Sequence, residues 1–226
     1  MITTLYIDLD GTILNVRERL YRLHHTLIQE LGQPTPLPKQ HYLDLKRARV
    51  SEEEIIKPLL PKNAAQEYHR KRKKLIESPD YLKYDCLFPW SKKTIDKLRK
   101  NHTLILVTKR QSRKQLLIQL HNLGIDQSFD DLLVNESKSV GKKVSKAALI
   151  RHHHGFTPET SCLIGDTEDD LLAGKELGIM TIAVLSGLRN RAILSRYQPN
   201  HVVENISELG KMRGIAKNIF CICLAP

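Results

Sequence analysis

No run of apolar residues in this chain of 226 reaches the ~18 that a membrane-spanning helix needs. The nearest approach, IFCICLA close to the C-terminus, is far too short, so no membrane partner is expected. The opening residues, MITTLYIDLD, lack a basic n-region and carry acids where a secretion signal is apolar, which points to a cytoplasmic protein. Cysteine is scarce. Cys86, Cys162, Cys221 and Cys223 match no zinc-ligand spacing and are too few for a disulfide framework, so reduced, buried thiols are expected. Aromatic residues make up only 5% of the chain and none interleave with its basic run. That argues against a surface on which nucleic-acid bases stack. Low-complexity tracts and internal repeats are also missing.

What is present is the composition of an ordinary globular protein, 41% hydrophobic and 27% charged. The length accommodates one full hydrophobic core together with a smaller second unit. Lysine and arginine (36) outnumber aspartate and glutamate (25), giving a formal charge of +11. The excess favours anionic partners, a phosphorylated metabolite or a nucleic acid. The densest basic run, HRKRKK at 69–74, falls within a helical pattern and reads as a solvated helix face.

The hydrophobic pattern predicts a first strand over 3–9, then a helix carrying Leu20, Leu23, Leu27, Ile28 and Leu31 and closed by Gly32. QPTPLP breaks the chain. Further helices are expected around 42–48, after Ser51 (spaced from Glu54 as in a capping box) and over 64–76. From Leu87 the rhythm changes. A helix capped by Ser91 leads to the strand TLILV, a helix over 112–123, the strand DLLVN, a helix over 145–153, the strand SCLIG, a helix over 169–177 and the strand MTIAVL. Short apolar strands alternating with helices predict an α/β fold, a Rossmann-like parallel sheet flanked by helices. The domains expected are an α/β core of 1–15 and 86–226 with a helical cap, 16–85, inserted after the first strand.

Ligands of such sheets bind at the carboxyl ends of the strands. Asp8 and Asp10 end the first strand, predicted to point to one side because side chains repeat every two residues. Thr108 ends TLILV, and Asp166 ends SCLIG with Asp169 and Asp170 just beyond. Lys142, Lys143 and Lys146 precede that strand. Each feature alone has a plain structural reading: a DG turn, a strand end, acids at a helix start, solvated lysines. Together they crowd carboxylates at one sheet edge, where they repel unless a cation lies among them, and hard oxygen ligands suit Mg2+. A carboxylate can also attack phosphorus to give an aspartyl-phosphate, stabilised by a metal, a hydroxyl and a lysine.

These residues resemble the haloacid dehalogenase-like hydrolase superfamily, in particular its phosphoglycolate phosphatase-like members with a helical cap. DLDGT at 8–12 matches the first motif, LILVT ending at Thr108 is similar to the second, and GDTEDD at 165–170 is similar to the fourth. LFPWSKKTIDKLRK resembles the segment that returns from cap to core, with Trp90 where a small residue is common. The resemblance implies a phosphatase for a small phosphomonoester. Asp8 would be the nucleophile, and Asp10 the acid that protonates the leaving oxygen and then activates water. Mg2+ would be held by Asp8, the backbone carbonyl of Asp10, and Asp166. Thr108 would hydrogen-bond the phosphoryl group, and Asp170, with Asp169 second, would orient the lysine or metal-bound waters. In GKKVSKAALI the helix phase selects Lys143 as the phosphoryl lysine, with Lys142 and Lys146 as alternatives. Dehalogenases of the superfamily lack the second carboxylate, so Asp10 argues for phosphate chemistry. A phosphomutase, a phosphatase of nucleic-acid ends and a non-catalytic module on the same fold are the competing readings. Arg110 reads equally as an anion ligand or a surface arginine, and RHHHG at 151–155 as a polar helix end.

Overall fold

The computed structural model describes residues 1–32, 36–135, 144–212 and 215. Lys142, Lys143, Cys221 and Cys223 therefore lie outside the described residues. In chain order the elements are β1 (Thr4–Asp8), β2 (Leu14–Asn15), α1 (Arg17–Glu30), α2 (Lys39–Arg47), α3 (Glu52–Ile56), α4 (Lys62–Leu75), α5 (Pro79–Leu82) and β3 (Cys86–Leu87). Then follow α6 (Ser91–Leu98), β4 (Thr103–Thr108), α7 (Arg113–Asn122), β5 (Asp131–Val134), α8 (Lys146–Arg151) and β6 (Ser161–Gly165). The described chain ends with α9 (Glu168–Leu177), β7 (Met180–Val184), α10 (Arg191–Ser195) and β8 (His201–Val203).

Six strands form one sheet in the order β5-β4-β1-β6-β7-β8, and every pairing is parallel. Its strands are apolar throughout because both faces are covered. Leu5, Ile7, Leu104, Leu106, Cys162 and Ile164 point to one face and pack with Ile95 and Leu98 of α6 and Leu116 and Leu120 of α7. Tyr6, Ile105, Val107 and Leu163 point to the other and meet Ala147 and Ile150 of α8 and Ala173 and Leu177 of α9. Burying each large aliphatic side chain of this kind contributes roughly 1.5–3 kcal/mol. The alternation also decides where Asp8 faces: one step past Ile7, it shares the α8–α9 side with Tyr6.

The cap helices α1 to α5 enter and leave through a two-stranded antiparallel ribbon, β2 paired with β3. Leu23, Leu27 and Ile28, at helical spacing on α1, pack against Ile56, Leu60, Ala65 and Tyr68. Ser51 caps α3 in a full capping box with Glu54, a device worth about 1 kcal/mol. Buried beside this core is a polar cluster. Tyr68 donates its hydroxyl hydrogen bond to Glu52 at 2.5 Å, while Lys46 (3.2 Å) and Arg72 (3.5 Å) pair with the same carboxylate.

The basic run lies on α4, where His69, Arg70 and Lys71 pair with Glu53, Glu67 and Glu30 of the cap. Only Arg72 turns inward, to Glu52. Ser91 is not a helix cap, as the sequence suggested: it is the first residue of α6, and its hydroxyl donates to the Ile13 carbonyl at 2.8 Å. The sequence reading also missed β2, β3 and β8, each only two or three residues long. Trp90 stacks on Phe88 with ring centroids 5.1 Å apart, filling the return from cap to core.

Candidate active site

Three buried carboxylates gather where β1 and β6 end. Asp8 is the last residue of β1, Asp166 follows β6, and Asp170 lies in the first turn of α9. One oxygen from each falls within 4.8 Å of the others. The chain approaches them closely. A Cβ on Gly11 (φ +90°) or Gly187 would overlap the Asp166 carboxylate, and one on Gly165 would overlap that of Asp170.

Their partners are unequal. Asp170 Oδ2 accepts from the Thr167 backbone N–H (3.1 Å) and hydroxyl (2.7 Å), closing the α9 capping box. Its Oδ1 accepts from Lys146 Nζ at 2.5 Å. The same ammonium donates to Asp8 Oδ1. Ser145 caps α8 by accepting from the Ala148 N–H at 3.1 Å, which sets Lys146 as the first helical residue aimed at the strand ends. Asp8 Oδ2 receives only a long bond, 3.4 Å, from the Thr12 hydroxyl. Asp166 Oδ2 accepts from the Leu188 N–H at 2.6 Å, but its Oδ1 is buried with no partner.

Among the described residues, three buried acids face one ammonium here. Burial pushes Asp8 well above the usual carboxylate range, with Lys146 opposing and the charges of Asp170 and Asp166 adding. Burial and then the Asp170 charge push Asp166 up to about 7. Lys146 is held well above its ordinary value: burial works against its charge, and Asp170 and Asp8 overcome that. A hard divalent cation fits this set. Asp166 Oδ1 and the weakly engaged Asp8 Oδ2 are the oxygens open to it, whereas Asp170 is committed to Lys146 and Thr167.

Asp10 does not share this cluster, and the expectation that it points the same way as Asp8 is corrected. β1 ends at Asp8, so the two-residue alternation no longer governs Asp10. Its carboxylate meets two arginines instead: Arg110 through Nε (3.1 Å) and Nη2 (2.6 Å), and Arg19 Nη2 at 2.8 Å. Burial disfavours its charge, but Arg110 and Arg19 overcome this and hold its carboxyl far below the usual range. Guanidinium groups, not a metal, neutralise the Asp10 side chain. Arg110 is correspondingly no surface residue: it is 4% exposed. Asp85, which no motif marks, joins from the cap's far end, 3.1 Å from both Arg19 Nε and Arg110 Nη2. Burial pushes it up to about 6, against the pull of Arg19.

The remaining expected residues fall nearby. Thr108, at the end of β4 and 2% exposed, accepts from the Arg110 N–H at 3.3 Å. Asp169 turns outward to Lys109 at 2.5 Å. Lys143, selected by helix phase, and Lys142 lie outside the described residues; the lysine that reaches Asp8 is Lys146. Asp8, Asp10, Arg19, Thr108, Arg110 and Lys146 all line one cavity of about 250 Å³. Larger hollows of about 580 and 600 Å³ lie on the cap and beside His152–His154, away from these residues.

A model of haloacid dehalogenase-like hydrolases matches residues 6–184. The chain is similar to pyrophosphatase PpaX of Bacillus mycoides, 26% identical over 221 residues that cover 92% of this chain and 95% of that protein. Its counterpart from Bacillus cereus is 25% identical over the same coverage of this chain and 94% of its own. Among solved structures, a haloacid dehalogenase-like hydrolase from Streptococcus pneumoniae superposes with a TM-score of 0.75 at 24% identity, covering 92% of this chain and 96% of that one. A predicted phosphoglycolate phosphatase from Haemophilus somnus gives 0.73 at 17% identity, covering 93% and 97%. The parallel sheet, the acids at its strand ends and a family match spanning most of the chain agree, and the protein belongs to the haloacid dehalogenase-like hydrolases.

Proposed function

We propose that the protein is a phosphatase that transfers the phosphoryl group of a small phosphorylated substrate to Asp8 and then to water. The observation that carries this reading is the meeting of Asp8 with Lys146 beside the unpartnered Asp166 oxygen. A carboxylate in that position can attack phosphorus while the ammonium and the Thr108 hydroxyl, lining the same cavity, hold the phosphoryl oxygens. In this reading Lys146 takes the role first assigned to Lys143, and Asp170 fixes its ammonium. Asp8, Asp166 and the Asp10 backbone carbonyl would hold Mg2+. When bound, the ion supplies charge neutralisation for the phosphoryl oxygens and for the crowded acids. In this reading Asp10, held ionised by Arg110 and Arg19 in the free site, would take up the proton that the substrate's phosphate carries in, pass it to the departing oxygen and later take one from the attacking water.

Residues 16–85 act in this proposal as a cap that closes over the cavity, excludes bulk water and selects the leaving group. Arg17, Arg47 and Arg49 support closure by reaching Ser186, Gly187 and Glu168 of the core. We place the enzyme in the cytoplasm, where a thiol such as Cys162 stays reduced. Among the described residues no helix is long and apolar enough to cross a membrane. The relatives named pyrophosphatase favour inorganic diphosphate as a second substrate reading, beside a phosphoglycolate-like monoester.

The test is direct. Asp8→Asn, a near-isosteric change, should lower phosphomonoester hydrolysis by about 10⁴-fold or more while leaving the thermal midpoint close to that of the parent. A chelator should abolish the parent's activity and Mg2+ should restore it. Full activity in the variant removes the covalent route, and indifference to EDTA removes the metal.

A further inference from the structure

The reaction proposed above explains Asp8, Asp10, Thr108, Lys146, Asp166 and Asp170 but leaves the buried charges around Asp10 without a task. Asp10, Arg19, Asp85 and Arg110 form a ring in which acid and base alternate: hydrogen-bonded ion pairs join Asp10 to Arg19 at 2.8 Å, Asp85 to Arg110 at 3.1 Å and Arg110 to Asp10 at 2.6 Å, and Arg19 Nε closes it 3.1 Å from Asp85 Oδ1 as an ion pair without hydrogen-bond geometry. The side chains of Arg19, Arg110 and Asp85 are at most 3% exposed, whereas Asp10 keeps 29% of its side chain open. The ring draws on four separate places in the chain. Arg19 comes from the first turn of α1, Asp85 from the residue before β3, and Asp10 and Arg110 from the loops after β1 and β4.

Resting on that proposed reaction, we infer that Asp85 is a positioning residue: through Arg110, and with Gln119, it fixes the plane of the Asp10 carboxylate against the leaving group. The geometry is over-determined in the way such a role requires. Arg110 presents two nitrogens to Asp10 and gives its third, Nη1, to Gln119 Oε1 at 2.8 Å. Gln119 in turn donates through Nε2 to Asp85 Oδ2 at 2.9 Å and to the Leu82 carbonyl at 3.1 Å. Asp85 and Gln119 thus hold the guanidinium plane, and a forked guanidinium holds the carboxylate that it faces. Arg19 is anchored separately, Nη1 donating to the Ile76 carbonyl at 3.2 Å. Four charges that sum to zero can stay buried together. Removing one acid leaves two guanidinium groups competing for the other.

Displacing a catalytic group by about 1 Å costs on the order of 10²-fold in rate. In the first transfer, which releases the leaving group, the loss appears only where Asp10 must deliver a proton, which is the case for an alkyl leaving group and not for p-nitrophenolate; the later hydrolysis of the aspartyl-phosphate is common to both substrates, so the difference is read in a single turnover. A mere brace between cap and core would instead lower both rates together.

The experiment compares Asp85→Asn, Asp10→Asn and the double variant with the parent in Mg2+, on 2-phosphoglycolate and on p-nitrophenyl phosphate. For Asp85→Asn the account predicts a roughly 30-fold slower single-turnover release of the leaving group from 2-phosphoglycolate, with half-saturation within about threefold, and release of p-nitrophenolate within about threefold of the parent. In the Asp10→Asn background, Asp85→Asn should cost nothing further, because both changes act through one group. Gln119→Met removes the amide tie and keeps all four charges. It should show the same leaving-group pattern at about fivefold, and it serves where Asp85→Asn fails to fold. Equal losses on both substrates, or independent losses that multiply in the double variant, overturn the inference and leave the phosphatase reading standing. A parent that turns over neither substrate overturns both.

Discussion

Asp166 shows in one side chain how a group proposed to hold the metal can be costly to the fold. It is wholly buried, one oxygen has no partner, and its carboxyl is pushed up to about 7 by burial and by Asp170. The folded value lies above the unfolded one, near 3.9. The associated stability is therefore complete below about pH 4 and lost as the pH rises through about 7. At pH 8 the metal-free protein carries this group ionised and unpaired. Asp166→Asn keeps an oxygen for the Leu188 N–H and removes the charge. It should raise the metal-free thermal midpoint at pH 8 by about 3 °C or more, with the gain vanishing near pH 4. Added Mg2+ should stabilise the parent and leave the variant unmoved. Differential scanning fluorimetry over pH, with and without Mg2+, reads both effects, and a Mg2+ shift that persists in the variant would remove Asp166 from the ligands.

At the scale of elements, the cap depends on one acid as much as on its apolar stripe. Glu52 is held below the usual carboxylate range: burial opposes its charge, and Arg72, His24, Lys46 and Tyr68 outweigh burial. A depressed carboxyl contributes stability that is complete above its unfolded value, about 4.3, and is lost as the pH falls toward the folded one. The parent should therefore lose thermal stability progressively below about pH 4.3. Glu52→Gln, which strands Arg72, should be about 3 kcal/mol less stable at pH 7 and flatter across the acid window. Chemical denaturation at pH 7 and pH 3.5 tests this, and parallel pH profiles for the two proteins would contradict it.

The same scale shows which features could be read from sequence. β1, β4, β6 and β7 were visible as uninterrupted apolar runs, and α1, α4 and α9 through their periodicity and stop signals. Asp8, Thr108, Asp166 and Asp170 followed because a parallel sheet presents its chemistry at the strand ends. The choice of Lys143 among Lys142, Lys143 and Lys146 falls outside the described residues, and among those described it is the packing of α8, not the sequence, that shows Lys146 reaching Asp8. Nor did the orientation of Asp10, because alternation lapses where a strand ends. Asp85 and Arg19 carry no local signal at all. Their partners are brought together only by the cap's return to the core.

For the whole molecule, the surplus of positive charge finds structural employment. Arg17, Arg47, Arg49 and Arg189 line the seam between cap and core, and Arg19 and Arg110 bury themselves against Asp10 and Asp85. The cations of the basic run mostly pair within the cap. Charge thus joins the two parts around a small, polar cavity that Asp8 lines. The claim on which all of this rests is that Asp8 itself carries the phosphoryl group during turnover. Borohydride reduces an acyl phosphate to an alcohol, so quenching the working enzyme with it and mapping peptides by mass should find residue 8 converted to homoserine, only when substrate and Mg2+ are both present. Turnover that continues with Asp8 unmodified under those conditions, or reduction at another residue, would contradict the account.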